Sequence, residues 1–244
     1  MTWPNSVGRI ILEQVDSTNA EAVRALTLGT RAPFWLMAHH QTAGRGRGGR
    51  PWSARAGNFF GTLMMEVPQG PQAAGQRSFV AALALRDVVA GLVPDTMALS
   101  LKWPNDVLLM NRKLAGILLE SETVKGRLML RVGIGVNLAA VPEQAELESG
   151  ALTPVHLGGV IGPEAFLDLL AAAFAKWDDT LLREGFAPIR AAWLNHAARL
   201  GEPIRARLPG QELHGTFETV DEGGALVLNT AKGRMSLPAA DVFF

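Results

Sequence analysis

The chain has 244 residues, long enough to bury a sizeable core and, on ordinary domain sizes, to make one large domain plus a small one. Lysine plus arginine and aspartate plus glutamate both number 23, so no global field draws the protein to nucleic acid or to an anionic membrane. There is no cysteine, which excludes disulfides, thiolate catalysis and cysteine-built zinc sites; the five histidines show no ligand spacing, so no protein-built metal site is expected.

Met1 to Gly8 lacks the basic and apolar regions of a secretion signal. The most apolar long run, Phe79 to Val93, is too short to span a bilayer and is interrupted by Arg86 and Asp87. A soluble, cytoplasmic protein is expected. Charge is uneven, however: residues 1–60 carry seven arginines against three acids, whereas 141–184 carry eight acids against two bases.

In chain order, Arg9 to Val15 reads as a strand that delivers the chain into Asp16-Ser17-Thr18-Asn19. Thr18 with Glu21 matches a capping box for a helix that stops at Gly29. Ser17, Thr18 and Asn19 therefore have two readings, as helix caps or as polar side chains lining a pocket beside the cap. Phe34 to His40 is a second strand, and it runs into Gln41 to Trp52, the most informative stretch.

That stretch, Q-T-A-G-R-G-R-G-G-R-P-W, is neither a packed helix nor an ordinary strand. Arg45, Arg47 and Arg50 repel one another in a compact loop unless an anion sits among them, and the intervening glycines let backbone N–H groups turn toward the same object. The pattern suggests a phosphate or carboxylate cradle. A flexible solvated loop is the bland alternative; a nucleic-acid-binding Arg-Gly segment is another, but such segments repeat and this one does not.

Asn58 to Val67 is a third strand, Pro68 to Gly75 a turn-rich connection, and Arg77 to Leu92 a mostly buried helix with Phe79, Ala82, Leu83 and Val89 facing the core. From Lys102 to Glu120, Val107–Met110 and Leu114–Glu120 form a hairpin across Asn111-Arg112-Lys113. Lys102, Asp106 and Lys113 then belong to one folded unit, with small Ala115 and Gly116 where a ligand can lie against a strand. A tight turn at 103–106 and a solvated tip at Lys113 are the competing readings. Arg127 to Val136 alternates and ends in glycines that permit close approach, and Asn137 is either a turn former or a reader of a base edge.

Residues 139–162 form a Pro/Gly/acid-rich connection. A helix runs from Pro163 to Gly185 with Phe166, Leu169, Leu170, Ala173, Phe174 and Trp177 on its core face, and a shorter one covers Ile189 to Ala198. Short strands at Pro203–Leu208, Glu212–Val220, Ala225–Asn229 and Arg234–Leu237 then suggest a small appended β-barrel.

Taken together, Ser17-Thr18-Asn19, the G-R-G-R-G-G-R-P-W loop, K-W-P-N-D, R-K-L-A-G-I-L-L-E and G-I-G-V-N-L closely resemble the biotin–protein ligases, in this order and over nearly the whole chain. The resemblance implies an α/β (α+β) fold. A mixed-sheet catalytic domain over 1–198, related to class II aminoacyl-tRNA synthetases and lipoate ligases, would precede an SH3-like β-barrel over 199–244. Some family members carry an N-terminal DNA-binding helix-turn-helix; this chain begins almost at the catalytic domain, so the form without operator binding is expected.

The implied activity is ATP-dependent: biotin is activated as biotinyl-5′-AMP with release of pyrophosphate, then transferred to a lysine of a biotin carboxyl carrier protein, with Mg²⁺ bound through the ATP phosphates. By position, the resemblance puts Ser17, Thr18, Asn19 and Gln41 at the biotin head group and Gly44, Arg45, Gly46 and Arg47 around biotin and the adenylate phosphate. Lys113 falls at the biotin carboxylate and α-phosphate, and Trp52 and Asn137 near adenine. Asp106 is assigned to Mg²⁺ or to the incoming amine. Gly48 and Pro51 depart from the basic residues common at those positions, which bears on how firmly the empty loop is held. No nucleic-acid or membrane partner is expected, and an exposed sheet edge could serve a homodimer or the carrier. A lipoate or octanoate transferase and a non-catalytic biotin-binding regulator are the remaining alternatives.

Overall fold

A computed structural model describes residues 2–143, 146 and 152–244. Strand β1 (Gly8–Val15), helix α1 (Thr18–Thr27) and strand β2 (Phe34–Gln41) form a parallel β-α-β unit. Antiparallel strands β3 (Phe59–Glu66), β4 (Leu99–Lys102), β5 (Asp106–Leu109), β6 (Arg112–Val124) and β7 (Arg127–Val136) complete a mixed seven-stranded sheet of order β1-β2-β3-β7-β6-β5-β4.

Why the central strands lack polar alternation follows from their two covered faces. In β2, Phe34 and Leu36 pack with Ala22 of α1, Met64 and Met129, while Trp35 and Met37 point the other way into the main core. That second face is covered by α2 (Pro71–Ala90) and α3 (Pro163–Glu184). Trp35 meets Phe174 edge-on at 6.0 Å between ring centroids, and Phe59 meets Phe166 at 5.3 Å. A buried ion pair, Arg77 to Asp178 at 3.2 Å, ties α2 to α3.

Helix α4 (Phe186–Leu194) leads into β8 (Pro203–Leu208), β9 (Gln211–Val220), β10 (Leu226–Thr230), β11 (Gly233–Leu237) and β12 (Asp241–Phe243), an antiparallel sheet of order β11-β10-β9-β8-β12. Ile204, Phe217, Leu226, Leu228 and Val242 of this sheet join the same apolar cluster as the large sheet. Trp103 Nε1 donates to the carbonyl of Gly224 at 3.1 Å, pinning the β4–β5 turn to the β9–β10 turn.

Several expected boundaries shift. Helix α2 starts at Pro71 rather than Arg77, because proline fits a helix's first turn, where its missing N–H costs nothing. The hairpin turn falls on Met110-Asn111, both at positive φ (52° and 58°), so Lys113 lies inside β6 and not at a tip. Strands β4 and β12, four and three residues long, were too short to read from pattern. The capping box is not formed: Ser17 is the N-cap with no side-chain cap bond, and Glu21 accepts instead from Arg24 Nε at 2.6 Å. Of the 139–162 connection, 144, 145 and 147–151 lie outside the described residues. Among the described residues, no helix is long and apolar enough to cross a membrane.

Candidate functional site

A cavity of about 660 Å³ opens between the start of α1, the Gly/Arg loop, the facing backbones of β6 and β7, the β4–β5 turn and β12. Its floor is glycine. Gly116 on β6 opposes Gly135 on β7 in register, and the indole of Trp52 lies directly on both. A Cβ on Gly135 would stand 2.5 Å from Trp52 Cε2, and one on Gly116 3.0 Å from Cζ3, so the close approach of ring to sheet requires bare backbone.

One end of the cavity is lined by uncharged polar side chains held in a hydrogen-bond network that ends on the Glu120 carboxylate. Thr62 Oγ1, on β3, donates to Asn19 Oδ1 at 2.7 Å and accepts from the Thr18 hydroxyl at 2.9 Å. Asn19 Nδ2 donates to Glu120 at 2.7 Å, and the Thr18 amide donates to Gln41 Oε1 at 2.7 Å. Asn19 sits above Gly133, where a Cβ would come within 2.4 Å of its Oδ1. Ser17, Thr18, Asn19 and Gln41 thus line the cavity; of the first three, Ser17 holds the N-cap position of α1 without a side-chain cap bond, and all three side chains face the pocket.

The other end is cationic. Asp106 is buried between two ammonium groups, with Lys113 Nζ 2.8 Å from Oδ1 and Lys102 Nζ 3.8 Å from Oδ2. Burial alone would raise the Asp106 carboxyl, but Lys113 and Lys102 outweigh it and hold the pKa below the ordinary 3.8. Lys102 moves down for the mirror reason, burial disfavouring its charge with Asp106 opposing. Asn137 is buried beside this end, its side chain 3.5 Å from the Lys113 carbonyl and its own carbonyl accepting from Leu157.

The Gly/Arg loop closes on itself. Arg45 bridges to Pro51, Trp52 N donates to the Gly44 carbonyl at 2.9 Å, and Gly48 and Gly49 take φ of 66° and 77° in a single 3₁₀ turn. Gly48 is thus at a conformation that a basic side chain would adopt only with strain. The loop arginines already have anions: Arg45 meets Glu120 at 3.3 Å, while Arg47 and Arg50 meet Asp241 of β12 at 3.6 and 3.1 Å.

Every residue expected at the site except Gly44 lines the cavity; Gly44 stands behind it as the loop's closing point. Sequence reasoning missed Thr62, Glu120 and Asp241. Thr62 left a signal, the lone hydroxyl in the apolar run Phe59–Met65, whereas Asp241 left none, since only the fold brings it to the loop.

The fold and site define a class: a mixed-sheet domain whose cavity suits a ligand with an uncharged polar head and an anionic tail. Residues 11–137 match the model of the biotin/lipoate A/B protein ligase family, and residues 200–244 match the biotin protein ligase C-terminal domain. A biotin–[acetyl-CoA-carboxylase] ligase of Paracoccus denitrificans is 52% identical over 239 residues, covering 96% of this chain and 99% of that one. Another, of Mycobacterium tuberculosis, is 33% identical over 95% of this chain and 87% of its own length. The biotin protein ligase of Aquifex aeolicus in complex with biotin and ATP shares the fold at a TM-score of 0.79 and 23% identity, with 96% of this chain and 97% of that one covered. The chain belongs to the biotin/lipoate A/B protein ligase family.

Proposed function

We infer that the chain is an ATP-dependent biotin–protein ligase that makes biotinyl-5′-AMP and passes the biotinyl group to a lysine of a biotin carboxyl carrier protein in the cytoplasm. The observation that carries this reading is the polarity of one cavity, neutral and hydrogen-bonding at α1 and cationic at Lys113 and Arg47. Thr18, Asn19, Gln41 and Ser17 receive the ureido head, which offers both donors and acceptors. The valeryl chain runs past the Trp52 indole that covers the glycines of β6 and β7, with adenine toward Trp52 and Asn137. The catalytic unit is 1–198, and 199–244 forms a β-barrel against it.

In the first step a biotin carboxylate oxygen bonds to the α-phosphorus of ATP, the bond to the β-phosphate oxygen breaks, and pyrophosphate leaves. Both reactants are anions, so Lys113, Arg45 and Arg47 offset their repulsion and stabilise the charge that develops on the α-phosphoryl oxygens. Gly44 and Gly46 let the loop backbone follow that charge. In the second step a lysine amine bonds to the acyl carbon, AMP leaves with the acyl-phosphate oxygen, and the amine loses a proton to solvent, while Asp106, kept ionised by Lys113 and Lys102, orients that amine. No enzyme nucleophile is required.

Magnesium enters on the ATP phosphates. The chain fits a metal ion poorly, because Asp106 is already bracketed by Lys102 and Lys113, and no cluster of three or more His, Cys, Asp or Glu exists among the described residues. The testing experiment is biotin-dependent pyrophosphate release from ATP with lipoate and octanoate as controls. Release with biotin alone is expected; equal release with lipoate or octanoate would overturn the substrate assignment.

A further inference from the structure

We propose that Asp241, on β12 of the C-terminal module, is an internal counter-ion that competes with the nucleotide: it occupies Arg47 and Arg50 at the cavity in the empty enzyme and yields them to phosphate. The proposal rests on reading the cavity as the site of biotin adenylation. Its grounds are geometric. Asp241 Oδ1 lies 3.1 Å from an Arg50 Nη2 that donates to it and 3.6 Å from Arg47 Nη1, and the same Nη1 donates to the carbonyl of the preceding Ala240 at 3.2 Å. Asp241 and the residue just before β12 thus grip a loop that lies about 190 positions earlier in the chain.

The grip faces the cavity, since Asp241, Arg47, Arg50, Lys102 and Lys113 all line it. It is also built to be exchanged. The Arg77–Asp178 pair shows what a permanent clamp looks like here, with the guanidinium only 2% exposed, whereas the Asp241 side chain is 38% and Arg50 40% exposed. Exposed pairs bind weakly, and a polyphosphate brings more charge and more acceptor oxygens to the same guanidinium forks. Asp241 therefore occupies both guanidinium groups in the empty enzyme, and loses the competition once ATP arrives. This gives the C-terminal module a task in the first half-reaction.

The test compares wild type with Asp241→Asn and Asp241→Ser in biotin-dependent pyrophosphate release, together with trypsin cleavage within residues 45–50. With the Asp241 carboxylate no longer competing, the KM for ATP is expected to fall about three- to tenfold, the span of two weak exposed pairs. The KM for biotin should hold, and free-enzyme cleavage should quicken. Asp241→Glu, which keeps the charge, should restore the wild-type KM for ATP and the slow cleavage. In an Arg47→Gln/Arg50→Gln background the Asp241→Asn effect should vanish, which a merely structural role would not produce. An unchanged or raised KM for ATP would overturn the proposal, as would failure of both neutral variants to fold, since Asp241 would then be a fold anchor. Absence of biotin-dependent release in the wild type would instead defeat the underlying adenylation reading.

Discussion

At the α1 end of the cavity, Thr62, Thr18, Asn19 and Gln41 satisfy one another through buried neutral hydrogen bonds, while at the loop end Arg47, Lys102 and Lys113 crowd around Asp106 and Asp241. The first set is cross-linked before any ligand binds. Such a network fixes side-chain directions sharply, because any partner removed leaves a buried polar atom unpaired. The second set has more cations than acids among these named groups, and its forces are long-ranged and tolerant of angle. On the proposed reading, one end chooses the acid that enters and the other draws two anions together.

The largest expected effect breaks the cationic end. Lys113→Ala should reduce biotin-dependent pyrophosphate release about 10²- to 10³-fold, the scale of losing one preorganised group at developing charge. Circular dichroism should show the fold retained, because Lys113 is partly exposed at 30% and contributes to no apolar cluster. A loss of less than about tenfold would mean that Lys102 and Arg47 hold the α-phosphate without it.

Two substitutions sharpen the contrast from the neutral end. Gly133→Ala places a methyl 2.4 Å from Asn19 Oδ1, so Asn19 must leave its bonds to Thr62 and Glu120. The KM for biotin should rise by about tenfold or more, the cost of one or two unpaired buried groups, with the KM for ATP nearly constant. Thr62→Val removes only the hydroxyl that links Thr18 to Asn19. It should cost about 1–3 kcal/mol of stability by urea unfolding and raise the biotin KM less than Gly133→Ala does. If either variant changed the ATP KM as strongly as the biotin KM, the two ends would not be separate devices.

These two ends were unequally legible in the sequence. The cationic end left the stronger signal, glycine-spaced arginines that suggest an anion cradle, although a solvated loop and, for Lys113, a solvated hairpin tip competed with that reading. The neutral end stayed ambiguous. Ser17, Thr18 and Asn19 open a helix, where such residues ordinarily cap, and only the sheet's register shows Thr62 drawing Thr18 and Asn19 inward instead. The large elements were readable from apolar period and the helix start at Pro163, and β7 fell where expected at Arg127–Val136. Strands β4 and β12 were not, since three or four residues carry no period and their pairing partners are set by tertiary packing. Asp241 was invisible for the same reason.

The smallest effect concerns the carboxylate between the two lysines. Lys113 and Lys102 hold the Asp106 pKa in the folded protein below its ordinary 3.8, against the opposing push of burial. A depressed acid pKa contributes stability that is fully present above the unfolded value and lost as pH falls through the folded one. In urea titrations the wild type should therefore keep this contribution down to about pH 3.8 and lose it below, whereas Asp106→Asn should lack that acid-dependent segment. The variant's curve should run below the wild type at neutral pH, because two ammonium groups would then face each other across an uncharged amide. Parallel curves throughout the acid range would mean that Lys102 and Lys113 do not stabilise the ionised form, and the cationic end would be held together by something other than Asp106.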